Sequence, residues 1–166
     1  MNAFSKFFQS LDRWTVLFII AVVAVVGCRS MDKPASASFA SVVISNASPA
    51  QIREATEKVF KQSNYQSLGE QEGSLVFQRE ATERETVDYA GFAGAHDGDK
   101  VVIQVRVRIE VKDPSAYWLT CKAYAISNPD QPVFRTTTAL FNFQSKPYQK
   151  LLNMVAGTVR QITTTP

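Results

Sequence analysis

The chain has 166 residues, 45% of them hydrophobic and 20% charged, with a formal net charge of +3. That balance supplies enough apolar material for a core and excludes a disordered chain. Acidic and basic residues are interspersed without a basic tail or stripe, so no nucleic-acid partner is expected.

Residues 1–14 carry Lys6 and Arg13, and residues 15–27 (TVLFIIAVVAVVG) form a largely apolar run of thirteen. A spanning helix needs about 20 apolar residues, whereas the hydrophobic segment of a secretory signal needs about 7–15. The run therefore fits a leader better than a permanent anchor, although an uncleaved N-terminal anchor stays open. Val25-Val26-Gly27-Cys28 resembles the lipobox of bacterial lipoprotein precursors, departing from it where the family favours Leu at Val25 and Ala or Ser at Val26. The resemblance covers only the first 28 residues. It implies that residues 1–27 are a signal peptide, that Cys28 is lipidated and becomes the mature N-terminus, and that the protein is held at a bacterial membrane. Arg29, where Asp commonly marks inner-membrane retention, implies the outer membrane facing the periplasm. Residues 28–38 then read as a lipidated cysteine and a polar, Pro-containing tether.

Residues 39–166 are of a size expected for one domain. Residues 39–45 (FASVVIS) suggest a strand. Ser48-Pro49-Ala50-Gln51 predicts a helix start with a capping box, and Ile52, Ala55, Val59 and Phe60 recur at helical spacing. Residues 64–68 and 74–80 look like strands joined across a turn at 69–73 with glycine at both ends. The stretch 101–112 alternates strictly: Val101, Ile103, Val105, Val107, Ile109 and Val111 face one way, and Gln104, Arg106, Arg108, Glu110 and Lys112 the other. A period of two with one polar side predicts an antiparallel sheet with one covered and one wet face. Asp113-Pro114-Ser115 turns the chain into 116–127. Pairing Lys112 with Ala116 sets Arg106 opposite Lys122 and puts Cys121 on the inner face. Residues 133–143 read as a third long strand, and Ser145 and Pro147 open a last helix with a stripe of Tyr148, Leu151, Leu152, Val155, Val159 and Ile162. Small Ala123, Ala125 and Ala139 are expected to leave room for the helices. The expected class is α+β: an antiparallel sheet of about five to six strands with two helices on one face, in the order β-α-β-β-loop-β-β-β-α.

Chemistry is sparse. His96 is the single histidine, with Asp97 and Asp99 beside it and no nucleophile on a recognisable turn. One histidine and one strand thiol are too few for zinc, and Asp97-Gly98-Asp99 lacks the spacing of a calcium loop. No catalytic residue, metal or cofactor is expected. Two surfaces are candidates for binding. The first is the wet face, where Arg106, Arg108 and Lys122 cluster beside Trp118 and Tyr124. It reads either as a solvated face with Glu110 as counter-ion or as a docking surface for an acidic partner. The second is the 81–99 stretch, whose apolar tip holds Tyr89 and Phe92. Loops that long are often functional; part of this one, Glu83–Tyr89, can also continue as strand, and both aromatics can instead tuck onto the sheet. The reading is a non-catalytic interaction module at an envelope membrane, held through lipid on Cys28 and contacting another envelope protein. The alternative is a carrier of a small apolar ligand between helices and sheet.

Overall fold

A computed structural model describes residues 39–93 and 99–164. The expected leader, Cys28, its tether, and His96, Asp97 and Gly98 lie outside those residues. In chain order the elements are β1 (Ala40–Ser45), α1 (Pro49–Gln62), β2 (Gln66–Gln71), β3 (Ser74–Glu80), α2 (Glu83–Ala93), β4 (Val101–Asp113), β5 (Ala116–Ser127), β6 (Thr136–Ala139), a 3-10 turn (Asn142–Gln144) and α3 (Lys146–Thr164). The class is α+β, with one six-stranded antiparallel sheet in the order β1-β5-β4-β3-β2 and β6 also paired to β5.

Local sequence explains most of these boundaries. Ser48 caps α1: its Oγ accepts from the Gln51 N–H at 3.2 Å, while the Ser48 N–H donates to Gln51 Oε1 at 2.8 Å. The expected stripe of α1 is fully buried, with Phe60 stacked on Phe77 of β3 at 4.4 Å. From α3, Tyr148, Leu151, Leu152, Val155 and Val159 close the same core over Val105, Val107, Leu119, Cys121, Ala123 and Ala125. The long hairpin has the expected register from Val101 to Val111, with Arg106 opposite Lys122 and Val111 opposite Tyr117, but an irregularity after Val111 sets Asp113, not Lys112, opposite Ala116.

Five further features differ from the sequence reading, each for a physical reason. The β2–β3 connection is a two-residue turn, Glu72-Gly73, with both φ values positive (51° and 69°) as a primed hairpin turn requires. Gly69 is not part of it: at φ 82° it sits in a bulge where Leu68 and Gly69 oppose Val76 alone. The 83–89 stretch is helix rather than loop or strand, so the described residues hold three α-helices where two were expected. The strand expected over 133–143 is cut to Thr136–Ala139, because β1 already occupies the edge of β5 from Ala116 to Cys121 and only Tyr124–Ser127 is left to pair. Past Ala139 the Leu140 N–H still reaches the Ala123 carbonyl at 2.9 Å, and the chain then turns away. Ala139 lies opposite Tyr124 on the outer side and is exposed, so it makes no room for a helix.

The two sheet faces are less uniform than a strict alternation implies. Val111, on the inner side, is 74% exposed because β4 runs on past the helices. On the outer side, Val76, Val102, Gln104 and Ile126 are buried, and polar exposure begins only at Arg106.

Candidate functional site

The exposed half of the outer face gathers four of the five residues expected there around one centre. Arg106 on β4 lies directly opposite Lys122 on β5, and its guanidinium sits over the ring of Tyr124 at 5.6 Å. Its Nη1 donates to Glu72 Oε2 at 3.2 Å, whereas its Nε is buried with no hydrogen-bond partner. Arg108 reaches the Glu72 carbonyl at 3.4 Å and the Glu110 carboxylate at 3.8 Å. Lys122 is exposed, and among the described residues no carboxylate forms an ion pair with it. Trp118 is placed further along, opposite Glu110, with Lys112 over its ring at 5.1 Å. The arrangement is a cationic strip backed by two half-exposed aromatics. Glu110 is the counter-ion of Arg108, but Glu72, delivered by the tight turn of the neighbouring hairpin, is the carboxylate at Arg106. That contact spans 34 positions in sequence and leaves no local signature.

Tyr89 does not form an exposed contact tip. It is 7% exposed, its hydroxyl shares a hydrogen bond with that of Tyr148, and burial raises its pKa above the ordinary tyrosine value. The reason is α2: once the stretch is helical, Tyr89 falls on the side turned to the core. Phe92 belongs to the same helix, and its side chain is outside the described residues.

A second constellation escapes the sequence reading. Arg79, near the end of β3, donates to both carboxylate oxygens of Glu85 and, at 2.9 Å, to the Glu80 carbonyl. Its guanidinium also lies over the Tyr65 ring at 5.2 Å. Glu85 in turn accepts from the Thr82 N–H at 2.9 Å while Thr82 Oγ1 accepts from the Glu85 N–H, a capping box that starts α2. Burial pushes the Glu85 carboxyl up, but the hydrogen bonds from Arg79 and Thr82 outweigh it and the net shift is downward. The hydrogen bond to Glu85, set against desolvation, holds Arg79 firmly charged. Burial raises the Tyr65 and Tyr148 hydroxyls as well. The spacing Thr82-x-x-Glu85 is the available signal for this cluster.

Of these groups, Arg79, Tyr65, Glu80 and Thr82 border an open cleft of about 750 Å³ that also includes Lys100, Lys150 and Pro147. Its cations are largely compensated: Arg79 by Glu85, and Lys100 by Glu80 at 3.0 Å. The arrangement locks β3 to α2 and offers no activated nucleophile or base. Cys121 is a free thiol, 2% exposed, with its pKa pushed up to about 12 by burial, so it stays protonated and inert. Among the described residues no three His, Cys, Asp or Glu side chains come together as metal ligands, and no helix is long and apolar enough to cross a membrane.

No family model matches the chain, and no curated protein matches it. Among solved structures, the adenylate sensor of AMP-activated protein kinase in complex with the ribofuranotide ZMP is similar over 72% of this chain and 94% of that one, at 13% identity and a TM-score of 0.40. A likeness that low carries no argument for fold or function.

Proposed function

We propose that this protein is a non-catalytic interaction module of the bacterial envelope, anchored by lipid on Cys28 and docking an acidic partner on the outer sheet face. The observation that carries the docking half is the Arg106–Lys122 pair. Two cations directly opposite each other on adjacent strands repel, and the buried Nε of Arg106 lacks a hydrogen bond. An anionic group set between them relieves the repulsion, and Tyr124 beside it, with Trp118 further along the strand, provides the amphipathic contact area typical of protein interfaces. The anchoring half rests on the leader and lipobox of residues 1–28, and Arg29 after the cysteine favours the outer membrane facing the periplasm.

The test uses the full chain expressed in a bacterial envelope. Intact mass should give a lipidated protein beginning at Cys28; an unmodified Met1 terminus refutes the anchor. A photo-crosslinker at Trp118 should capture an acidic envelope protein, and Lys122→Glu, at an exposed position that does not threaten folding, should abolish that capture. Unchanged capture would mean that the strip is merely solvated. The second reading, a carrier of a small apolar ligand, is favoured by one feature only. A groove of about 210 Å³ at the far end of the inner face is lined by Leu75, Val107, Ile109, Val111 and Tyr117, with the Arg53–Glu70 ion pair also on its wall. It is smaller than the ~300–1,000 Å³ of usual ligand sites, and a lipid co-purifying in gentle mass spectrometry would be needed to revive it.

A further inference from the structure

Phe141 and Phe143 flank Asn142 in the 3-10 turn before α3. Their rings are stacked at 5.7 Å and 11°, yet they are 50% and 75% exposed. The turn is pinned by its own hydrogen bonds. The Phe141 N–H donates to Gln144 Oε1 and the Phe141 carbonyl accepts from the Gln144 N–H, both at 2.9 Å, and the Ser145 N–H closes onto Asn142 at 3.1 Å. The aromatic pair is thus presented by a pinned turn. Lys146 and Lys150, both exposed, follow it on the first turns of α3.

The position of this turn in the fold is decisive. The chain reaches the domain at Phe39, whose ring packs on Tyr148 at 5.0 Å, within the first turn of α3. Ala40 pairs with Cys121, and Leu140 bonds to Ala123, so the start of β1 and the end of β6 meet on the same edge of β5. The residue where the N-terminal segment joins and the residues carrying the two phenylalanines are therefore neighbours. Ten residues separate Cys28 from Phe39, and a chain of that length reaches at most about 40 Å.

We infer that the Phe141–Phe143 turn is a membrane-contact surface, its rings entering the interfacial layer of the anchoring bilayer while Lys146 and Lys150 meet anionic headgroups. This rests on the proposed anchor at Cys28. Amphipathic surfaces with aromatics on one side and lysines beside them favour that layer. An anchor attached next to the patch holds it there at high local concentration.

The experiment is brominated-lipid quenching of Phe143→Trp in the full chain. The protein is purified from bacterial membranes and reconstituted in phosphatidylethanolamine vesicles containing phosphatidylglycerol. Wild-type emission gives the background of the native tryptophans, and Phe134→Trp, exposed at the opposite end of β6, is the position control. The Phe143→Trp signal is expected to shift to the blue and lose about half its intensity, as an indole buried near the acyl boundary does, with the control little changed. Intact mass on the same sample separates the two claims. A chain lipidated at Cys28 in which the introduced indole is not quenched, or is quenched no more than the control, overturns the contact and leaves the anchor standing. An unlipidated chain that is quenched refutes the anchor but upholds the contact; an unlipidated, unquenched chain refutes both.

Discussion

Replacing Glu85 with alanine removes two interactions at once, the bidentate pair with Arg79 and the capping box with Thr82. The side chains of Arg79 and Glu85 are only 19% and 24% exposed, so the pair is not a surface ion pair that water replaces for free. Hydrogen bonds to a charged group contribute about 1.5–3 kcal/mol and an N-cap about 1 kcal/mol; allowing for partial rehydration of Arg79, Glu85→Ala should cost about 2–4 kcal/mol. Glu85→Gln keeps a cap acceptor but loses the charge and should cost about 1–2 kcal/mol. The pH dependence has a definite sign. The folded carboxyl titrates below its unfolded value, so its contribution is fully present above the ordinary glutamate range, about 4.3, and is lost as the pH falls through the folded value. Urea unfolding followed by circular dichroism, on wild type and Glu85→Gln, should give a stability gap that is constant near neutrality and shrinks in acid. A gap that persists at the lowest workable pH, or no gap at all, would refute the assignment of Glu85 as a charged structural lock.

Three further outcomes follow from the geometry. Cys121, buried and with its thiol pushed up to about 12, should resist maleimide in the native protein at pH 7–8 and react fully in urea; rapid native labelling would place it elsewhere. Gln149 clamps the free edge of β1, accepting from the Ser41 N–H at 3.1 Å and donating to its carbonyl at 2.8 Å. Gln149→Ala should therefore cost about 1–2 kcal/mol and raise concentration-dependent association by light scattering, since an unblocked edge strand pairs with others. Glu72→Asn exchanges a left-handed glutamate for a residue that tolerates φ 51°. It loses an exposed pair worth about 0–1 kcal/mol and relieves strain of similar size, so thermal unfolding should show little change; a loss well above 1 kcal/mol would mean Glu72 anchors Arg106.

The sheet was legible because its information is local and repeated. Six alternating residues in β4, a capping box at Ser48 and two helical stripes each specify a face independently, and they agree. The features that escaped depend on competition or on weak periodicity. The truncation of the 133–143 strand cannot be read from its own residues, because it follows from β1 holding the neighbouring half of β5's edge. In α2 the apolar positions are few and Val87 is 75% exposed, so no stripe announced it. The capping pair Thr82 and Glu85 did, and the glycines downstream masked it.

The candidate surface was legible in its members but not in its limits. Alternation placed Arg106, Arg108 and Lys122 on one side, yet it could not show that Val76, Val102 and Ile126 are buried on the adjoining half of that same side. Nor could it show that a turn 34 positions away delivers the carboxylate at Arg106. That carboxylate sharpens the docking argument. Glu72 is 82% exposed and reaches only one Nη of Arg106, so it screens the arginine without satisfying its Nε and leaves Lys122 uncompensated. An incoming acidic group can displace so exposed a neighbour at little cost, because ion pairs of that kind contribute about 0–1 kcal/mol. Internal neutralisation of this sort keeps the strip tolerable in the free protein while preserving its preference for an anionic partner.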